Sequence, residues 1–116
     1  MALAAASPAA PARAEFVTGR WLLERCERPG SGAAAELERY NCLGFIIGAV
    51  DSMMFVQELN RLPRCIPQGL NTSRIQEAAV AYMRANPRDL DGPAAGLVVL
   101  AMVERFNCRI PVPGAP

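Results

Sequence analysis

Histidine is absent from this chain, and so is lysine, because all twelve of its basic residues are arginine. Without an imidazole there is no Ser–His or Cys–His nucleophile and no ordinary zinc-hydrolase site. Without an amine there is no Schiff base and no P-loop lysine. Aromatics are scarce at 6%, and they are not interleaved with arginine, so no platform for stacking nucleic-acid bases is present. Basic and acidic side chains nearly cancel, twelve against eleven, leaving a net charge of +1. That balance excludes the clustered basic field which a nucleic acid or an anionic membrane requires. Carboxylate pairs remain, but nothing in their spacing assembles a catalytic, metal or cofactor site. The chain reads as a binding protein and not an enzyme.

What is present suits one folded domain. The 116 residues suffice for a single core, and 52% of them are hydrophobic against 20% charged. Four cysteines, Cys26, Cys42, Cys65 and Cys108, are spread along the chain with no C-x-x-C pair. Zinc sites usually carry one short spacing, so two disulfides in an oxidising compartment are the better reading. The opening MALAAASPAAPARA ends in an A-x-A cleavage pattern at Ala12-Arg13-Ala14 but has no charged start and no full apolar run. Residues 1–15 are therefore expected to be a signal-peptide remnant or a disordered arm. The helical domain is expected over 16–109 and a disordered tail over 110–116.

Four helices are expected, giving an all-α fold in a compact bundle stapled by two disulfides. The first runs from Thr18, its cap, to about Arg28 and stops at Pro29-Gly30-Ser31-Gly32. The second occupies 33–62, with Leu37, Tyr40, Leu43 or Gly44, Ile47, Val50 or Asp51, Met54 and Glu58 at steps of three and four. Gly44 and Gly48 sit one turn apart and admit the backbone of another helix. Asp51 interrupts this run, which is read as too short to insert in a membrane. Leu62 to Gly69 is a loop. A third helix is capped at Asn71 or Thr72, with a capping-box spacing from Ser73 to Gln76, and ends before Pro87. The fourth, capped by Asp91, carries AAGLVVLAMV over 94–103, apolar on every side and so central or covered by a second subunit. In an antiparallel bundle Cys26 and Cys42 fall at one end, Cys65 and Cys108 at the other, so Cys26–Cys42 and Cys65–Cys108 most easily meet the disulfide distance limit. Asp51, among apolar neighbours, is expected to be structural, accepting hydrogen bonds from a helix end or from Arg105.

Four segments carry a resemblance. Cys42-Leu43-Gly44-Phe45-Ile46-Ile47-Gly48-Ala49-Val50-Asp51 resembles a C-x-G-aromatic-x-x-G-x-x-D pattern, and Cys65-Ile66-Pro67 a C-I-P loop. Tyr82-Met83-Arg84-Ala85-Asn86-Pro87 is similar to a helix end of the form Y-[L/M]-x-x-[H/N]-P, and Phe106-Asn107-Cys108 to a closing F-P-C. Together, over residues 21–108, they resemble the Rap/Tai type of immunity protein, found beside type VI secretion effectors that cut peptidoglycan. Asn107 stands where proline is usual and Asn86 where histidine is common. The resemblance implies a periplasmic homodimer that neutralises a peptidoglycan amidase effector by putting a loop into its active site. The connection Asn86 to Gly92, with Arg88, Asp89 and Asp91, is the first candidate for that loop, and the Pro63–Gln68 loop with Arg64 the second. The alternative is a small periplasmic chaperone or envelope assembly factor of the same fold.

Overall fold

A computed structural model describes residues 16–111. The arm at 1–15, with its cleavage pattern, and most of the expected tail, 112–116, lie outside the described residues. Four helices form: α1 Gly19–Cys26, α2 Ala33–Leu59, α3 Thr72–Ala85 and α4 Ala94–Phe106, with a short 3₁₀ turn at Pro87–Asp89 before α4. The expected all-α bundle is the observed one.

The helix starts follow capping chemistry. Thr18 Oγ1 accepts from the Trp21 amide at 3.1 Å, and Asn71 Oδ1 from the Ser73 amide at 2.9 Å. The capping box from Ser73 does not form, because the cap is Asn71, two residues earlier, and Gln76 donates its amide instead to Cys42 Sγ at 3.3 Å. Asp91 does not cap α4 either. The cap residue is Pro93, without a side-chain bond, and the Ala94 amide is satisfied by the Val17 carbonyl at 3.0 Å. α4 ends in a left-handed residue, Asn107 at φ 57°. Proline, fixed near −65°, cannot adopt that angle, whereas asparagine tolerates it.

α2 is the element against which the other three pack. Its buried line is Cys42, Ile46, Val50, Met53 and Gln57, at steps of four and three. That line is displaced from the expected stripe, since Leu37 and Tyr40 face solvent at 62% and 69% exposure. The core is completed by Leu22 of α1, by Ile75, Ala79 and Met83 of α3, and by Leu97, Val98, Ala101 and Met102 of α4. Gln57 is the one buried polar residue among those described. Its amide donates to the Arg109 carbonyl at 2.8 Å and holds the chain beyond Cys108 to the core. Ile110, placed in the expected tail, packs half-buried against that core for the same reason.

Both disulfides are those expected, Cys26–Cys42 and Cys65–Cys108, each with Cα atoms 5.0 Å apart. Sequence separations of 16 and 43 correspond to about 3 and about 4 kcal/mol of restricted unfolded-chain entropy. Gly19 is the tightest of the described glycines. A Cβ there would lie 2.3 Å from Leu97 Cδ1 and 3.2 Å from the Leu90 carbonyl oxygen.

Two stability outcomes are expected. Gly19→Ala should lower the unfolding free energy by roughly 1–3 kcal/mol in urea titration, because the Leu90 backbone cannot retreat. Removing Cys65–Cys108 as a double Ala variant should destabilise more than removing Cys26–Cys42; equal losses would show that loop length does not govern the effect.

Candidate functional site

The turn before α4 is built as a rigid projection. Pro87 ends α3 and starts a 3₁₀ turn, in which the Asp89 amide donates to the Asn86 carbonyl at 3.0 Å. The Gly92 amide then donates to the Asp89 carbonyl at 3.0 Å, and Asn86 Nδ2 to the Tyr82 carbonyl at 2.8 Å. The start of α1 clasps the turn from outside: the Gly19 amide donates to the Gly92 carbonyl at 3.0 Å and the Arg20 amide to the Leu90 carbonyl at 2.8 Å. Leu90 is the buried anchor between them. A turn held on both sides in this way loses little conformational entropy when a partner grips it.

The structure presents Arg88 and Asp89 together at the exposed tip. Asp91, beside them, faces α1 and meets Arg20 at 3.2 Å, with its own side chain 84% exposed. Such a pair adds little stability and stays available for exchange. Arg84 pairs with Glu27 next to it, so this end of the bundle carries alternating charge. A cleft of about 480 Å³, lined by Arg20, Leu23, Glu24, Glu27, Arg28 and Leu90, opens there.

Arg64 and Asp51 lie elsewhere. Both are exposed, and both line a second cleft of about 480 Å³ with Met54, Phe55 and Glu58. The expected burial of Asp51 is therefore corrected. It sits on the solvent side of α2, where its charge stays hydrated and needs neither Arg105 nor a helix end.

The feature missed in the sequence is the outer surface of α2. Leu37, Tyr40, Phe55, Val56 and Leu59 are 40–69% exposed, and Leu100 of α4 is 43% exposed. Between the two helices runs a groove of about 900 Å³, floored by Gly44, Phe45, Gly48 and Ala49 and walled by Gly96, Val99 and Leu100. The two α2 glycines have no partner among the described residues, since a Cβ at either would meet nothing within 4 Å. Each lowers helix propensity by about 1 kcal/mol against alanine, with no packing among the described residues to offset it. α2 also runs 27 residues at a mean hydropathy of 1.5 in its most apolar window, enough by length and composition to cross a membrane. The expectation that it was too short is corrected on that point. Its inner line nevertheless forms the core of the domain, which ties it to three other helices.

The sequence profile of the Rap1a immunity proteins matches residues 18–108, and the chain belongs to that family. Membership makes it an immunity protein against a secreted effector, acting by binding a partner protein. Neither a curated protein nor a solved structure matches it.

One titration reports on the projecting turn. The Tyr82 phenol is held above its ordinary 10.0 by burial first, then by the negative charges of Asp89 and Glu104. Its neutral form is favoured in the folded state, so its contribution to stability is complete below pH 10.0 and fades as pH rises through the raised value. Asp89→Asn should move the late phenolate absorbance step to lower pH, and Tyr82→Phe should abolish it. An unchanged step in Asp89→Asn would place the carboxylate away from Tyr82.

Proposed function

We propose, from the chain's membership of the Rap1a immunity proteins, that it acts in the periplasm against a type VI secretion effector with peptidoglycan amidase activity. The family match over residues 18–108 carries this reading. Two disulfides and no free cysteine among the described residues suit an oxidising compartment. In this reading the turn Asn86–Gly92 enters the amidase cleft and excludes the peptide substrate, with Arg88 and Asp89 meeting charged groups at the cleft rim. The protein itself performs no chemistry, and two copies act together. Arg64 and Asp51, on the other cleft, lie outside that contact.

The physical basis is preorganisation. Main-chain hydrogen bonds on both sides of the turn fix its shape before any encounter, so binding energy is not spent on ordering it. Alternating charge at the same end steers approach and selects among related effectors. The exposed apolar surface of α2 is the observation that favours a second reading, a periplasmic chaperone covering hydrophobic clients.

The test is inhibition of the amidase encoded beside this chain's gene. The oxidised protein should bind it with nanomolar affinity and abolish cell-wall cleavage. Arg88→Glu combined with Asp89→Arg should weaken binding about 10–100-fold, mainly through a slower, less salt-sensitive association, with Tm unchanged. Inhibition unaffected by that reversal would remove the turn from the contact. Weak binding to many unfolded proteins, with none to the amidase, would establish the chaperone instead.

A further inference from the structure

α1 has eight residues and buries one side chain, Leu22, with Gly19 as its other buried position. A helix that short does not persist by itself in water. Its ion pairs are Arg20 with Asp91, Glu27 with Arg84, and the more sheltered Arg25 with Glu38 at 3.1 Å. Pairs as open as the first two hold an element only weakly. The link to α2, Pro29-Gly30-Ser31-Gly32, is exposed throughout, and both of its glycines have positive φ. What fixes the far end of α1 covalently is Cys26–Cys42. Cys42 is fully buried in α2, and its Sγ accepts from the Gln76 amide of α3 at 3.3 Å.

The near end of α1 carries the clasp. Gly19 and Arg20 donate to the Gly92 and Leu90 carbonyls, and the Val17 carbonyl accepts from the Ala94 amide. The contact is close, since a Cβ at Gly19 would lie 3.4 Å from Leu90 Cα. Eight helical residues span only about 12 Å, so α1 carries the restraint at Cys26 to Gly19 as one short rod. We propose that Cys26–Cys42 is the positioning bond of the turn Asn86–Gly92. It acts through α1, holds the clasp shut, and so sets the shape of the turn before a partner arrives. The inference deepens the reading of that turn as the partner contact and rests on it.

Cys65–Cys108 stands in a different relation to the turn. It joins the α2–α3 loop to the end of α4, and the 13 residues of α4, about 20 Å of helix, lie between it and the turn. It also closes the longer loop, with a sequence separation of 43 against 16, and so carries more of the stability. Stability and positioning are thus divided between the two bonds. Were both merely structural, partner affinity would fall in the order of lost stability. Under this division it falls in the opposite order. With Cys26 and Cys42 unlinked, α2, α3 and α4 keep their shared core and their other crosslink, while the clasp opens.

Hydrogen exchange on the full oxidised chain, beside amidase binding, tests this with two double variants. In Cys26→Ala with Cys42→Ala, the Gly19, Arg20 and Ala94 amides should exchange at least about 30-fold faster relative to Val98 and Met102 in α4. Amidase affinity should fall at least about 10-fold in the same variant. In Cys65→Ala with Cys108→Ala, the ratio of clasp to α4 exchange should stay within about 3-fold of wild type. Its affinity should fall less than in the first pair, although its Tm falls more. Glu24→Pro keeps both disulfides and breaks α1 between bond and clasp, because proline cannot donate the helix hydrogen bond. It should free the same amides, and it decides the matter if the first pair does not fold. Clasp amides that stay protected in the first pair, or in Glu24→Pro when that pair is unfolded, overturn the inference. Affinity that follows Tm across the two pairs also overturns it. A wild type without amidase affinity removes the function proposed above, and the exchange contrast then decides the positioning role alone.

Discussion

Helices of 8, 14 and 13 residues are marginal in water on their own, and α1, α3 and α4 have those lengths. They persist because each lies against the buried line of one 27-residue helix, and covalent bonds hold two of the contacts. Cys26–Cys42 fastens α1 directly to α2, and Cys65–Cys108 closes the chain from the far end of α2 to the end of α4. α3 carries no cysteine and is held by packing through Ile75, Ala79 and Met83. With its neighbours fixed, α2 needs no charged outer side to keep the domain folded. Everything presented to a partner rests on that division of labour.

Much of the architecture was legible where local chemistry and tertiary packing agree. Thr18 and Asn71 cap helices as their types suggest, Pro87 ends α3, and bundle topology alone put the cysteines into their observed pairs. The orientation of α2 was not legible. Its apolar residues surround the axis almost evenly, so several stripes satisfy a period of three to four, and the chosen one included the exposed Leu37 and Tyr40. Asp51 misled for the same reason: apolar neighbours in sequence point to other sides of the helix. Asp91 looked like a cap because of its place before Pro93, yet the amide it would have satisfied is taken by Val17, a contact spanning most of the chain.

The site shows the same limit. Arg88 and Asp89 were placed on an exposed connection from the sequence, but the clasp that stiffens it comes from residues 17–20, and no local pattern announces a pairing so distant. Arg64 and Asp51, separate in the sequence reading, share one cleft instead of joining the turn. The domain consequently carries two surfaces of opposite character. One is small, charged and braced by main-chain hydrogen bonds; the other is long and apolar, with glycines at its middle.

The clasp between the two ends of the domain sets a timetable. Residues 17–20 emerge early from a ribosome or a translocon, whereas the turn they brace emerges only after α2 and α3 have passed. The Cys26–Cys42 bond can close while most of the chain is still in transit, but Cys65–Cys108 waits for nearly all of it. The clasp therefore closes only after residue 94 has emerged, before the second disulfide can form, so a chain cut short of α4 lacks the brace on its turn.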